Sequence, residues 1–173
     1  TRADSEVPIG KCIDWLEQRP DVDRFRVAVC GSSLGGYYAA RAACYERRLA
    51  AAISHGAIWS VHDMWGAKGD DFGLAMHIRW VFGARTMAEA HELMKPFTLK
   101  GHLEHMACPY LVLHGGHDVL TVTAARSTYD YARAHGVDAT MRVLDPEETG
   151  AEHCQHDNPT IGQEVLADWL ADR

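Results

Sequence analysis

With 173 residues, 47% of them hydrophobic, and a formal net charge of −7, the chain is long enough for one domain with a proper core. No run of Lys and Arg is able to follow a phosphate backbone, which excludes nucleic acid as a partner, and no apolar stretch of about 18 residues marks a membrane span or signal peptide, so no membrane partner is expected. The five cysteines (Cys12, Cys30, Cys44, Cys108, Cys154) are odd in number and never spaced C-x-x-C, which predicts reduced thiols and a cytoplasmic location rather than a disulfide framework.

Ile9, Ile13 and Leu16 recur at helical spacing within 8–18, and Arg19-Pro20-Asp21 closes that helix. A β-branched strand is predicted at 25–30, then a helix over 34–48 and a short buried strand at 50–54 ending near His55-Gly56. From Trp59 to Met106 the pattern is helical without any strand signal, cleanest from Met87 to Lys95. A strongly apolar strand at 109–113 breaks at Gly115-Gly116. A helix near 123–135, a strand at 139–144, a polar loop and a helix near 159–171 complete the order. Strands alternating with helices predict an α/β fold, a mostly parallel sheet with helices on both faces. The block at 60–106 is too long for a simple crossover and reads as an inserted helical cap, leaving 1–59 and 107–173 as the core. There is no internal repeat, low-complexity tract or linker.

Residues 27–38 read VAVCGSSLGGYY, a strand entering glycines and leaving into a helix. That is the context of a G-x-S-x-G nucleophile elbow, whose tight turn needs small residues two before and two after the serine. Ser33 has Gly31 and Gly35 there, whereas Ser32 would have Cys30 and Leu34. Ser33 is therefore the candidate nucleophile and Ser32 a turn residue; the competing reading is a glycine-rich turn without chemistry.

A serine hydroxyl needs an imidazole to take its proton, and the imidazole needs a carboxylate to hold its tautomer. Catalytic groups on a parallel sheet lie beyond the carboxyl ends of strands. Asp118 lies just past the 109–113 strand, and His153 lies in the loop after 139–144. Taken singly, they read as a turn aspartate and a surface histidine; together with the elbow they stand in the order serine, acid, histidine. Three H-x-x-H pairs (His102/His105, His114/His117, His153/His156) compete as metal ligands. They lie in loops or at strand ends and lack a thiolate at ligand spacing, so neither a metal nor any other cofactor is expected. Cys154 reads as packing or as a reactive thiol, and the Trp and Met residues of 59–82 as core or pocket lining.

These motifs resemble the α/β-hydrolase superfamily along essentially the whole chain. GSSLGG at 31–36, LHGGHD at 113–118 and especially GAEHCQHDNP at 150–159 are similar to a narrower group. It contains 2,6-dihydropseudooxynicotine hydrolase, the fungal polyketide-shortening hydrolases of melanin pathways and relatives of the fermentation/respiration switch protein. The resemblance implies a serine hydrolase with a helical cap, often a homodimer, that cleaves a C–C bond next to a ketone in a small acyl or β-diketone-like substrate. The alternatives are a general carboxylesterase or acyl-peptide hydrolase, and a non-catalytic binding protein on the same fold. The backbone N–H of Leu34 is the expected oxyanion donor, and His62 and Asp63, early in the cap, are expected substrate contacts or exposed capping residues. In this fold a second oxyanion donor comes from a loop well before the elbow. No such loop is read before the 25–30 strand, so the chain is expected to be the C-terminal portion of a hydrolase whose N-terminal portion is a required partner.

Overall fold

The computed structural model describes residues 1–173. Helix α1, Glu6–Leu16, buries Ile13 and half-buries Ile9 and Leu16, the stripe expected from the spacing. Strand β1, Ala28–Ser32, leads through Ser33 into α2, Leu34–Ala43. Strand β2 is Ala51–His55, β3 is Tyr110–Gly115 and β4 is Ala139–Leu144. Helix α6, Val122–Ala134, crosses from β3 to β4, and α7, Pro159–Ala171, ends the fold. All four strands are parallel, in the order β1-β2-β3-β4. This is the parallel sheet of the expected α/β-hydrolase fold.

Two predicted boundaries move by three residues or more. Strand β1 begins at Ala28, not 25, because its ladder starts where Ala28 pairs with Ala51. Helix α2 stops at Ala43, not 48. The following residues are drawn into a turn in which the Glu46 carboxylate accepts hydrogen bonds from the Arg48 backbone and guanidinium.

Side chains alternate across a strand, and β3 shows the consequence. Tyr110 and Val112 enter the larger core with Tyr37, Ala40, Ala52 and Ala125; Leu111 and Leu113 join Ile53 and Leu144 under the apolar face of α7, with Ile161, Val165 and Trp169. Every residue of β3 is buried, whereas Ala28, Cys30 and Ser32 of the edge strand β1 are exposed on one side.

Between β2 and β3 lie α3, Val61–Trp65, α4, Ala75–Phe82, and α5, Met87–Met94. The two ends of this excursion are pinned together by a bridge between Ser60 and Thr98 and by backbone bonds from Val61 to Phe97 and from Leu99 to Trp59. Ala75, Ile78, Met87, Ala90 and Met94 share the larger core with α2, so this segment is packed onto the sheet layer. All five cysteines are free, and no helix is long and apolar enough to cross a membrane.

Candidate active site

The serine turn is built by one close backbone approach. A Cβ on Gly31 would lie 2.0 Å from the Gly35 carbonyl oxygen, so only glycine lets β1 run into α2 here. Gly35 differs from expectation: a Cβ there meets nothing within 4 Å, and the next tight position is Gly36, at 3.1 Å from the Gly31 carbonyl oxygen. What is crowded is the Gly35 carbonyl, not its α-carbon. Ser33 is left at φ 55°, ψ −123°, a strained conformation for a residue with a side chain. It is held by a hydrogen bond from its N–H to the His55 carbonyl (2.8 Å) and by one from the Gly36 N–H to its own carbonyl (2.8 Å).

The strained turn aims Ser33 Oγ at His153, whose Nε2 is 2.9 Å away. His153 Nδ1 lies 2.9 Å from both carboxylate oxygens of Asp118. An ionised carboxylate only accepts, so Nδ1–H donates to it and Nε2 keeps the lone pair that accepts the Ser33 hydroxyl. The Asp118 side chain is wholly buried and His153 is 25% exposed, which leaves the imidazole reachable from one side. Asp118 also accepts the Leu120 N–H at 2.8 Å. Three residues from three loops, all at the carboxyl ends of strands, thus converge. Leu34 is the first residue of α2, so its N–H has no carbonyl one turn earlier in the helix and is directed at the helix N-terminus.

The other expected residues are not part of this chain of bonds. His62 Nδ1 is 3.2 Å from Asp63 Oδ1, and the Asp63 N–H donates to Ser60 Oγ, which caps α3. Asp63 nonetheless borders a cavity of about 340 Å³ with Trp59, Met64, Leu120 and Thr121. A larger hollow, about 550 Å³ between Val22, Phe25, Ala50 and Leu170, sits at the amino ends of β1 and β2, away from the converging side chains. The H-x-x-H pairs build no ligand cluster: His102 bonds Tyr45, His117 lies 3.9 Å from Glu152, and no three His, Cys, Asp or Glu side chains are grouped to hold a metal ion. Burial pushes the Cys154 thiol up to about 11, out of the thiolate range.

Two histidines pack against the triad that the sequence did not assign to it, His114 having figured there only in the H-x-x-H pair with His117. His114 is fully buried, with Nε2 3.7 Å from Asp118, and His55 sits at the end of β2 beside the serine turn. Burial lowers the pKa of both below the ordinary imidazole value. Both stand at carboxyl ends of strands, which was the one signal available for them.

Known proteins are similar to this chain in sequence and in fold. The 2,6-dihydropseudooxynicotine hydrolase of Paenarthrobacter nicotinovorans is 28% identical over 170 residues, 98% of this chain and 44% of its own. Hydrolyase poxO of Penicillium oxalicum is 46% identical over 88 residues, 47% of this chain and 20% of its own. The crystal structure of 2,6-dihydroxy-pseudo-oxynicotine hydrolase superposes with a TM-score of 0.82 at 28% identity, covering 98% of this chain and 46% of that one. The chain therefore spans less than half the length of these relatives. Residues 9–171 match the prolyl oligopeptidase family, and on the fold and this match the chain belongs to that family.

Proposed function

We propose that this chain carries the catalytic machinery of a serine hydrolase that works through an acyl-enzyme. The carrying observation is the continuous hydrogen-bond chain from Ser33 through His153 to Asp118, ending on a serine held at positive φ. His153 Nε2 takes the Ser33 proton as Oγ bonds to the substrate carbonyl carbon. The oxyanion is stabilised by the Leu34 N–H and the amino end of α2. The intermediate collapses by breaking the bond to the leaving group, which takes the proton back from His153. Water, deprotonated by His153, then attacks the acyl-enzyme and releases a carboxylic acid and free Ser33.

The finer reading is cleavage of a C–C bond adjacent to a ketone, with an enolate as leaving group. It rests on the likeness of the 150–159 loop and on the similarity to the pseudooxynicotine hydrolase. The 60–106 helices serve as the cap over the substrate, with the cavity beside Asp63 and Thr121 as its pocket. The triad side chains do not line that cavity, but their chain neighbours do: Val119 follows Asp118, and Ala57 follows Gly56, where a Cβ would lie 3.4 Å from His153 and 3.6 Å from the Ser33 nitrogen. Ester or acyl-peptide cleavage is the second reading, favoured by the prolyl oligopeptidase match.

A fluorophosphonate should label the wild-type chain and Ser32→Ala but not Ser33→Ala. Label that follows Ser32 overturns the assignment. Rates on p-nitrophenyl esters against aryl β-diketones then separate the two readings, with faster β-diketone cleavage expected.

A further inference from the structure

Gln155 has no part in the chemistry above, yet it is completely buried in the loop that carries His153. Cys154 and Gln155 both have left-handed backbone, at φ 49° and 53°. Two consecutive non-glycine residues in that region persist only where surrounding contacts hold them. The Gln155 side chain supplies such contacts. It is wedged between Gly150 and Gly162, where an added Cβ would lie 3.2 Å and 3.3 Å from it.

Its polar end has a separate role. Gln155 Oε1 accepts a hydrogen bond from His55 Nε2–H, which leaves His55 Nδ1 as an acceptor, and Ser32 Oγ–H donates to it at 3.2 Å. The His55 carbonyl meanwhile accepts the Ser33 N–H at 2.8 Å and the Cys154 thiol at 3.4 Å. His55 thus ties the serine turn to the histidine loop through both its side chain and its backbone. The Gln155 amide nitrogen is buried without an acceptor. A methionine of similar shape would avoid that desolvation, so packing alone does not account for a glutamine here.

We propose that the Ser32–His55–Gln155 chain positions the catalytic base, with Gln155 as its principal positioning residue: it fixes the strained backbone after His153 so that the imidazole reaches Ser33 and Asp118 together. The proposal rests on the reading of His153 as the base. Without the bond to His55, residues 154 and 155 relax toward ordinary φ, and the imidazole leaves the serine.

The test uses the full chain with Gln155→Met, which keeps the volume and removes the acceptor, and Gln155→Glu, which restores one. Three quantities are read: the rate of fluorophosphonate labelling at Ser33, kcat and KM on p-nitrophenyl acetate, and the downfield proton resonance of His153 Nδ1–H. Gln155→Met should lower the labelling rate and kcat by about 10- to 10²-fold, as expected for a displacement of up to about 1 Å. KM should stay unchanged and the resonance should shift or broaden. Gln155→Glu should recover most of the rate and the original resonance.

A Gln155→Met protein with wild-type labelling and a wild-type resonance overturns the proposal. If that variant does not fold, Ser32→Ala, at the exposed end of the chain, should disturb the same resonance and lower kcat by a smaller factor; an undisturbed resonance there overturns the proposal equally. The resonance needs no substrate. A wild-type protein that shows it but never labels therefore refutes the hydrolase reading and leaves the positioning result readable.

Discussion

Replacing Gly31 with alanine should disable the site. The new Cβ would lie 2.0 Å from the Gly35 oxygen, 2.3 Å from its carbonyl carbon and 2.9 Å from the Gly36 nitrogen, all backbone atoms. Real Cβ contacts do not fall below 3.0 Å, so the end of β1 and the start of α2 must separate by about 1 Å, with Ser33 between them. Its hydroxyl, now 2.9 Å from His153 Nε2, then leaves hydrogen-bond reach. A misplacement of about 1 Å costs on the order of 10²-fold in rate. Overpacking costs ~1–3 kcal/mol, against a total stability on the order of 5–15 kcal/mol, so the variant should still fold.

Gly35→Ala is the matched control. Its Cβ has open space, and alanine is favoured over glycine inside a helix by ~0.8–1.0 kcal/mol. Fluorophosphonate labelling rates and urea midpoints of both variants are the assay. A Gly31→Ala protein that labels at the wild-type rate, or a Gly35→Ala protein damaged as severely as Gly31→Ala, would refute the reasoning.

Three further outcomes are expected. Asp118→Asn lets an amide face His153 Nδ1 and favours the tautomer whose Nε2 cannot accept from Ser33, so kcat should fall by on the order of 10⁴ with little change in melting temperature; a loss below about tenfold would show that Asp118 does not orient the base. Burial holds His55 and His114 below the ordinary imidazole value of 6.5. As pH falls through about 6.5 the unfolded chain therefore binds protons that the folded chain does not, and stability declines. Urea midpoints between about pH 8 and about pH 5.5 should fall, and His114→Gln should flatten the decline; a flat wild-type profile would contradict the burial argument. With no three ligand-type side chains placed to hold a metal ion, exhaustive chelation should leave the hydrolytic rate unchanged, and a loss restored by zinc would revive the histidine pairs as ligands.

Local pattern alone determined the order of strands and helices, because periodicities of 2 and 3.6 are written within a few consecutive residues. Strand β4 kept its predicted bounds, Ala139–Leu144, and the helix after the elbow began where expected. Its end, and the start of β1, were not local properties: a partner strand set one and the Glu46–Arg48 turn set the other. The candidate triad was also legible, since a glycine-flanked serine and two strand-end residues follow one another in chain order. The tertiary structure decided the rest. Ser33 and His153 are 120 residues apart, and only the parallel sheet brings their loops to one edge. Which glycine of the motif is crowded depended on where a carbonyl points. The burial of His114 against Asp118, and the bond from Gln155 to His55 100 residues away, have no signature in any one stretch, because each is a meeting of segments that only the folded sheet brings into contact.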